Sequence, residues 1–140
     1  MGEKQQVNCY QYVHDCLTSI KDYAMNVWRS KGVPANKLVM GIPFYGRSFV
    51  LNDAAKYLPG NTATSKKEGF SGPYTQENGF LAYFEICTMA KEGSWITSQD
   101  DDGNVYMRNG NKWVGFDTPG AVERKVRYCI NTGTHNMKSL

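Results

Sequence analysis

The chain has 140 residues, enough for one ordinary domain or a piece of a larger one. A hydrophobic share of 41% beside 21% charged residues describes a packed chain and excludes a disordered one. A net charge of +3 is too small to imply a nucleic-acid or acidic-membrane partner, and no apolar run is long enough to span a bilayer.

Residues 1 to 17 carry no clear period and stay unassigned. MGEKQQVNCYQYVHDC has no apolar h-region, so it is not a secretory signal as it stands. Gln6 occupies the place where a myristoylation pattern needs Ser or Thr. Ser19 with Asp22 three positions on resembles a capping box, and Ile20, Tyr23, Ala24, Val27 and Trp28 follow at helical spacing on one face. Gly32 and Pro34 stop that helix. The link VPANK delivers the chain to KLVMGIPFYGRSF, a continuous apolar strand over 38–44 of the kind covered on both faces in a parallel sheet. Tyr45 and Arg47 stand at its C-terminal end with one glycine between them.

Residues 50 to 78 are rich in Gly, Pro, Asn, Ser, Thr and Lys and read as a long excursion with little regular structure. A second helix is expected after an Asn78 cap, with Phe80, Tyr83, Phe84 and Cys87 on one stripe. Asn109-Gly110 between VYMR and NKWVGF is a hairpin signal. Thr118 and Pro119 open a last helix with Val122, Val126, Cys129 and Ile130 on one face, ended by Asn131 to Gly133.

Cys9, Cys16, Cys87 and Cys129 form no CxxC and lack matching His spacing, which argues against zinc; two disulfides are possible in number, and spacing leaves the pairing open. His14 and His135 have no partner pattern. Asp100, Asp101 and Asp102 before Gly103 read as a solvated turn, without the spaced ligands of a calcium loop. No metal and no cofactor is expected. Trp28 is expected in the core, as are Trp95 and Trp113.

Three stretches in order and register, KLVMGIPFYGRSF, GPYTQENGFLAYFEIC and NKWVGFDTPGAVERKV, resemble glycoside hydrolase family 18, in particular animal chitinases and chitinase-like relatives. The resemblance runs from about Ile20 to about Gly133. It implies an α/β fold, a partial (β/α)8 TIM barrel of one or two αβ units with an inserted α+β chitinase insertion domain. The implied division is partial barrel over 18–50, insertion over 51–115, and barrel helix with a divergent tail over 116–140. In such barrels ligands meet the C-terminal ends of the strands. The family's reaction is retaining hydrolysis of β-1,4-linked N-acetylglucosamine polymers, with the substrate's own acetamido oxygen as nucleophile.

By that resemblance Tyr45 and Arg47 line the sugar cleft and Glu85 adds a contact from its wall. Taken as bare residues, Arg47 could equally ion-pair the insertion to the barrel, and Glu85 could be a solvated helix position. The partners implied are chitin or chito-oligosaccharides, bound by a monomer, in an extracellular setting for a full-length parent. Cys87 would pair beyond the end of these residues, and Cys129 would be a buried thiol.

The family's acidic run DxxDxDxE, whose Glu is the general acid, does not occur, so no catalytic residue is assigned. Also missing are the tyrosine-bearing motif of the preceding strand and a GGAMxW-like final strand; from Thr134 the chain reads THNMKSL instead. Two functions follow as expectations: a part of a chitinase, inactive alone, or a non-catalytic lectin-like chitin binder. A single barrel strand leaves open edges. Hydrogen exchange should therefore find 18–49 and 116–140 less protected than 51–115; uniform protection would contradict this.

Overall fold

The computed structural model describes residues 16–59, 69–101, 103–134 and 136–139, with residues 16–22, 136 and 139 described by backbone alone. Cys9, His14, Asp102, His135 and the middle of the 50–78 excursion lie outside these residues. The elements are α1 (Cys16–Ser30), β1 (Val39–Ile42), β2 (Tyr45–Val50), β3 (Phe80–Ala82), α2 (Tyr83–Lys91), β4 (Ile96–Gln99), β5 (Val105–Asn109), β6 (Lys112–Phe116), α3 (Pro119–Asn131) and β7 (Asn136–Ser139). They form two sheets. β1 pairs with β7 in parallel, and the other five strands run antiparallel in the order β3-β2-β6-β5-β4.

The strand expected over 38–44 is β1, shorter at 39–42, and the stretch 37–49 goes on into a second strand, β2 from Tyr45, in another sheet. Pro43 has no N–H to give a ladder, so pairing stops there. The carbonyl of Phe44 instead accepts from Tyr83 N at 3.1 Å, and the chain leaves β1 for β2. Nor is β1 covered on both faces: Met40 and Ile42 are buried, whereas Val39 is 56% exposed. The final strand expected to be missing is present as β7, in register Val39↔Asn136 to Ile42↔Ser139. A parallel ladder is made by backbone groups, so NMKS serves without a GGAMxW-like motif.

The first core gathers Met25, Leu38, Met40, Ile42 and Cys129, with Val33, Val122, Tyr128 and Met137 against them. Cys129 is the buried thiol expected, its Sγ 3.6 Å from the Met40 sulfur. Helix α1 already runs from Cys16, so Ser19 lies inside it: a cap preference of about 1 kcal/mol does not halt a helix held by packing. Trp28 is 54% exposed and not core. The apolar stripe of α1 is wider than its packed line, which runs through Met25, and Trp28 is left at the surface near the Lys31 ammonium.

Helix α3 begins as read. The Thr118 hydroxyl accepts from Ala121 N at 3.3 Å and Pro119 fills the first turn, where a missing N–H costs nothing. Thr118→Ala should lower stability by about 1 kcal/mol in urea denaturation. The packed face differs from the expected one, since Ile130 is exposed while Lys125 is buried and ion-paired with Asp117. A charged side chain takes that place because its partner is buried with it. Gly133, at φ +71°, ends the helix.

In the second sheet the 80–82 segment is a strand, and α2 begins after it rather than at an Asn78 cap. Glu85, the third residue of α2, reaches back with Oε2 to Ala82 N at 2.8 Å. Phe84 therefore faces solvent, and Ile86 with Glu85 faces the sheet. The hairpin pairs Asn109 with Lys112, so Gly110 and Asn111 are its central residues, with Gly110 at φ +56°. β4, which had no periodicity to announce it, adds an edge strand. Leu81, Ile86, Met107 and Val114 form the core under α2, with Trp95 packed against them. On the sheet's other face Leu51, Tyr106 and Trp113 pack with Phe49 and Tyr57. Trp113 is thus core as expected, and Trp95 is partly so.

Candidate functional site

Along β2 the side chains alternate, so Tyr45, Arg47 and Phe49 share one face while Gly46 and Ser48 share the other. The glycine between the tyrosine and the arginine belongs to the covered face. A Cβ at Gly46 would stand 2.5 Å from Ile86 Cδ1 and 3.0 Å from the Gly115 carbonyl. Helix α2 packs onto bare backbone there, and Tyr45 and Arg47 are held out on the opposite side.

The register completes the site. Arg47 lies opposite Phe80 on β3 and opposite Gly115 on β6. Phe80 therefore sits on the same face as Arg47, while Gly115 puts no side chain beside it. The Tyr45 and Phe80 ring centroids are 4.9 Å apart. The Arg47 guanidinium carbon is 5.2 Å from the Tyr45 centroid and 5.6 Å from that of Phe80. Arg47 is exposed and Tyr45 and Phe80 are half-buried. Among the described residues no carboxylate ion-pairs with Arg47. The reading of Arg47 as an ion-pair tie gains no support from these residues. Chemically the trio offers two flat apolar faces and a fork of guanidinium N–H donors, which suits a polar ring compound with several hydroxyls.

Glu85 sits elsewhere. It is 2% exposed, so it is neither at a solvated helix position nor open to a ligand in this structure. Its Oε1 accepts from Tyr74 N at 2.8 Å and Thr75 N at 3.0 Å, and its Oε2 from Ala82 N and from the Thr75 hydroxyl at 2.9 Å. Burial by itself would push the carboxyl's pKa up. The hydrogen bonds from Thr75, Tyr74 and Ala82 outweigh it and hold it below the ordinary value. Phe80, whose ring flanks Arg47, was read from sequence only as a helix-stripe residue. Its part in the site shows only in the β2–β3 register.

Among the described residues no group of three His, Cys, Asp or Glu side chains could hold a metal ion. Asp100 closes the β4–β5 turn by accepting from Asn104 N at 2.7 Å and from Asn104 Nδ2 at 2.9 Å. No helix among these residues is long and apolar enough to cross a membrane.

The family model for Glycosyl hydrolases family 18 matches residues 7–135. The chain belongs to that family. It is 43% identical over 110 residues to human chitinase-3-like protein 2 and 40% identical over 114 residues to the Manduca sexta endochitinase. Those matches cover 79% and 78% of this chain but only 27% and 21% of the relatives. The chain therefore spans about a quarter of the length of these relatives. Among solved structures, the Ostrinia furnacalis Group IV chitinase superposes with a TM-score of 0.79 at 33% identity, over 84% of this chain and 32% of that one. Human YKL-39, described as a pseudo-chitinase with retained chitooligosaccharide binding properties, gives 0.76 at 38% identity, over 84% and 31%. The fold is accordingly a partial (β/α)8 barrel with an inserted α+β unit, and the described strands fall into a parallel β1-β7 pair and an antiparallel five-stranded sheet.

Proposed function

We propose that this chain supplies part of the sugar-binding surface of a chitinase-type protein, with β-1,4-linked N-acetylglucosamine oligomers as ligand. The observation that carries the reading is the Tyr45–Arg47–Phe80 trio on the β2–β3 ladder, two rings and an exposed guanidinium without a carboxylate partner among the described residues. Support comes from family membership and from the chitooligosaccharide binding of YKL-39. Tyr45 and Phe80 give stacking faces, and Arg47 gives hydrogen bonds to hydroxyl and acetamido oxygens. Gly115, opposite Arg47, leaves room for the Trp113 ring, whose Cη2 would stand 2.9 Å from a Cβ there. Glu85 serves this surface from the protein interior. The inserted unit is read as Tyr45–Phe116, because β2 belongs to its sheet. The setting is extracellular.

Retaining cleavage in this family needs an acid to protonate the leaving oxygen, and the 140 residues contain no DxxDxDxE run. The chain by itself therefore binds without cleaving. A non-catalytic, lectin-like role for the whole protein is the second reading, and the likeness to the pseudo-chitinase YKL-39 favours it.

The test mixes the 140-residue chain with chitin and with a fluorogenic chito-oligosaccharide, following bound protein and released fluorophore. Binding without release is expected. Arg47→Ala should weaken binding about tenfold, the equivalent of one or two charge-assisted hydrogen bonds. Release of fluorophore, or no binding by the unaltered chain, would overturn the reading.

A further inference from the structure

Glu85 spends a buried carboxylate on four hydrogen bonds, and all four tie down the same few segments. Tyr74 N and Thr75 N fix the turn that precedes β3, and Ala82 N fixes the last residue of β3 at the mouth of α2. Thr75 is used twice, since its hydroxyl lies 2.9 Å from Glu85 Oε2 and 3.3 Å from the Phe80 carbonyl. One end of β3, Ala82, is thus bound to the carboxylate directly, and the other, Phe80, is reached through the Thr75 hydroxyl. β3 is only three residues long and, among the described residues, an edge strand that pairs with β2 alone. Leu81 anchors its inner face in the core, which leaves its backbone ends to the hydrogen bonds around Glu85 and at Gly79 and Tyr83. This strand carries Phe80, on which Tyr45 and Arg47 are arranged.

The surroundings are shaped to keep the carboxylate where it is. A Cβ on Gly72 would lie 2.3 Å from Glu85 Oε1 and 2.8 Å from Leu81 Cδ2, so only glycine lets the turn close over it. Among the described residues no cation lies within ion-pair distance of Glu85; its charge is answered by N–H and O–H dipoles. A neutral amide could not replace it, because its NH2 end would face either the Ala82 N–H or, flipped, those of Tyr74 and Thr75.

We infer that Glu85 is a positioning residue: its buried carboxylate holds β3, and with it Phe80, in the placement that presents Arg47 and Tyr45. In its affinity readout this rests on the sugar-binding reading above; in its resonance readout it does not. The Arg47 side-chain protons lie near two aromatic rings, so their NMR signals are displaced by ring currents in the unaltered chain. In Glu85→Gln most of that displacement should be lost, with affinity for N-acetylglucosamine tetramer falling roughly five- to tenfold, a change of order one lost hydrogen-bond network contact. Acidifying the unaltered chain until Glu85 protonates should move the Arg47 signals the same way, which keeps the inference testable if Glu85→Gln does not fold. Ile86→Val is the control: it removes one methyl from the same core without touching the carboxylate and should leave the Arg47 signals in place. Arg47 signals that stay put in folded Glu85→Gln, or across the acid titration of Glu85, would overturn the inference. Signals that shift in a chain that never binds the tetramer would sustain it while removing the sugar-binding proposal.

Discussion

Replacing Glu85 with alanine is expected to lower the stability of the inserted sheet by about 3 kcal/mol or more, among the largest effects of any single substitution in the chain. The substitution strands three backbone donors, those of Tyr74, Thr75 and Ala82, in a site only 2% exposed at its centre. Each buried donor left without an acceptor costs about 1–3 kcal/mol, and entry of water offsets part of the sum. Urea denaturation followed through Trp95 and Trp113 emission reports the change, since both indoles belong to this unit. A loss below about 1 kcal/mol would mean that the turn finds other partners easily.

The same carboxylate makes the sheet acid-sensitive in a definite sense. Its folded-state pKa lies below the ordinary value, so the unfolded chain takes up the proton first as pH falls. The stabilisation is therefore complete above the ordinary glutamate range, near pH 4.3–4.5, and is lost as pH drops through the lower folded-state value. The urea midpoint should stay flat with respect to this group from pH 7 to about 5 and decline below it. Glu85→Gln should flatten that decline.

Gly69→Ala should cost about 3 kcal/mol for a different reason. A methyl at that position would stand 2.5 Å from the Ser48 carbonyl, 2.7 Å from Gly79 Cα and 2.8 Å from Gly79 N. All three obstacles are backbone, so no rotamer change relieves them. The segments they belong to are laced together. Ser48 N donates to the Gly79 carbonyl at 3.2 Å, Gly79 N donates to the Phe70 carbonyl at 3.3 Å, and the Ser48 hydroxyl donates to that same carbonyl. Making room means parting β2 from this loop. Hydrogen exchange at the Ser48 and Gly79 amides should accelerate far more than at Met107 or Val114, which sit in the middle of the sheet. Equal protection at all four would show that the loop yields elsewhere.

What could be read in advance depended on how local the cause was. The Thr118-Pro119 start of α3 follows from one hydroxyl and one missing N–H, and both are visible in two letters. The β5–β6 hairpin likewise needed only Asn109-Gly110 between two strand-like runs, though the register moved its centre to Gly110 and Asn111. Trp28 and Ile130 stand exposed because an apolar stripe shows which residues could be buried, not how much neighbouring surface exists to bury them. FLAYFEIC satisfies a helical stripe from its first residue, Phe80. The ladder to β2 claims 80–82 as strand and delays the helix to Tyr83. β7 has no pattern of its own and forms because β1 offers an edge in parallel register.

The sequence by itself determined the family, through three motifs in order, and the proposals of a sugar ligand and of Tyr45 and Arg47 as its contacts start from those motifs. Those rest on residue identity and spacing, which survive without coordinates. Only the tertiary structure decided that the chain passes after Pro43 from β1 to a second sheet, so that Tyr45 and Arg47 stand on β2 with Phe80 beside them. It also decided that Glu85 faces inward to four donors. The physical reason is that strand pairing and burial are set by partners distant along the chain. A glutamate's role follows from which N–H groups the fold brings within about 3 Å of it, and a sequence pattern carries no record of that distance.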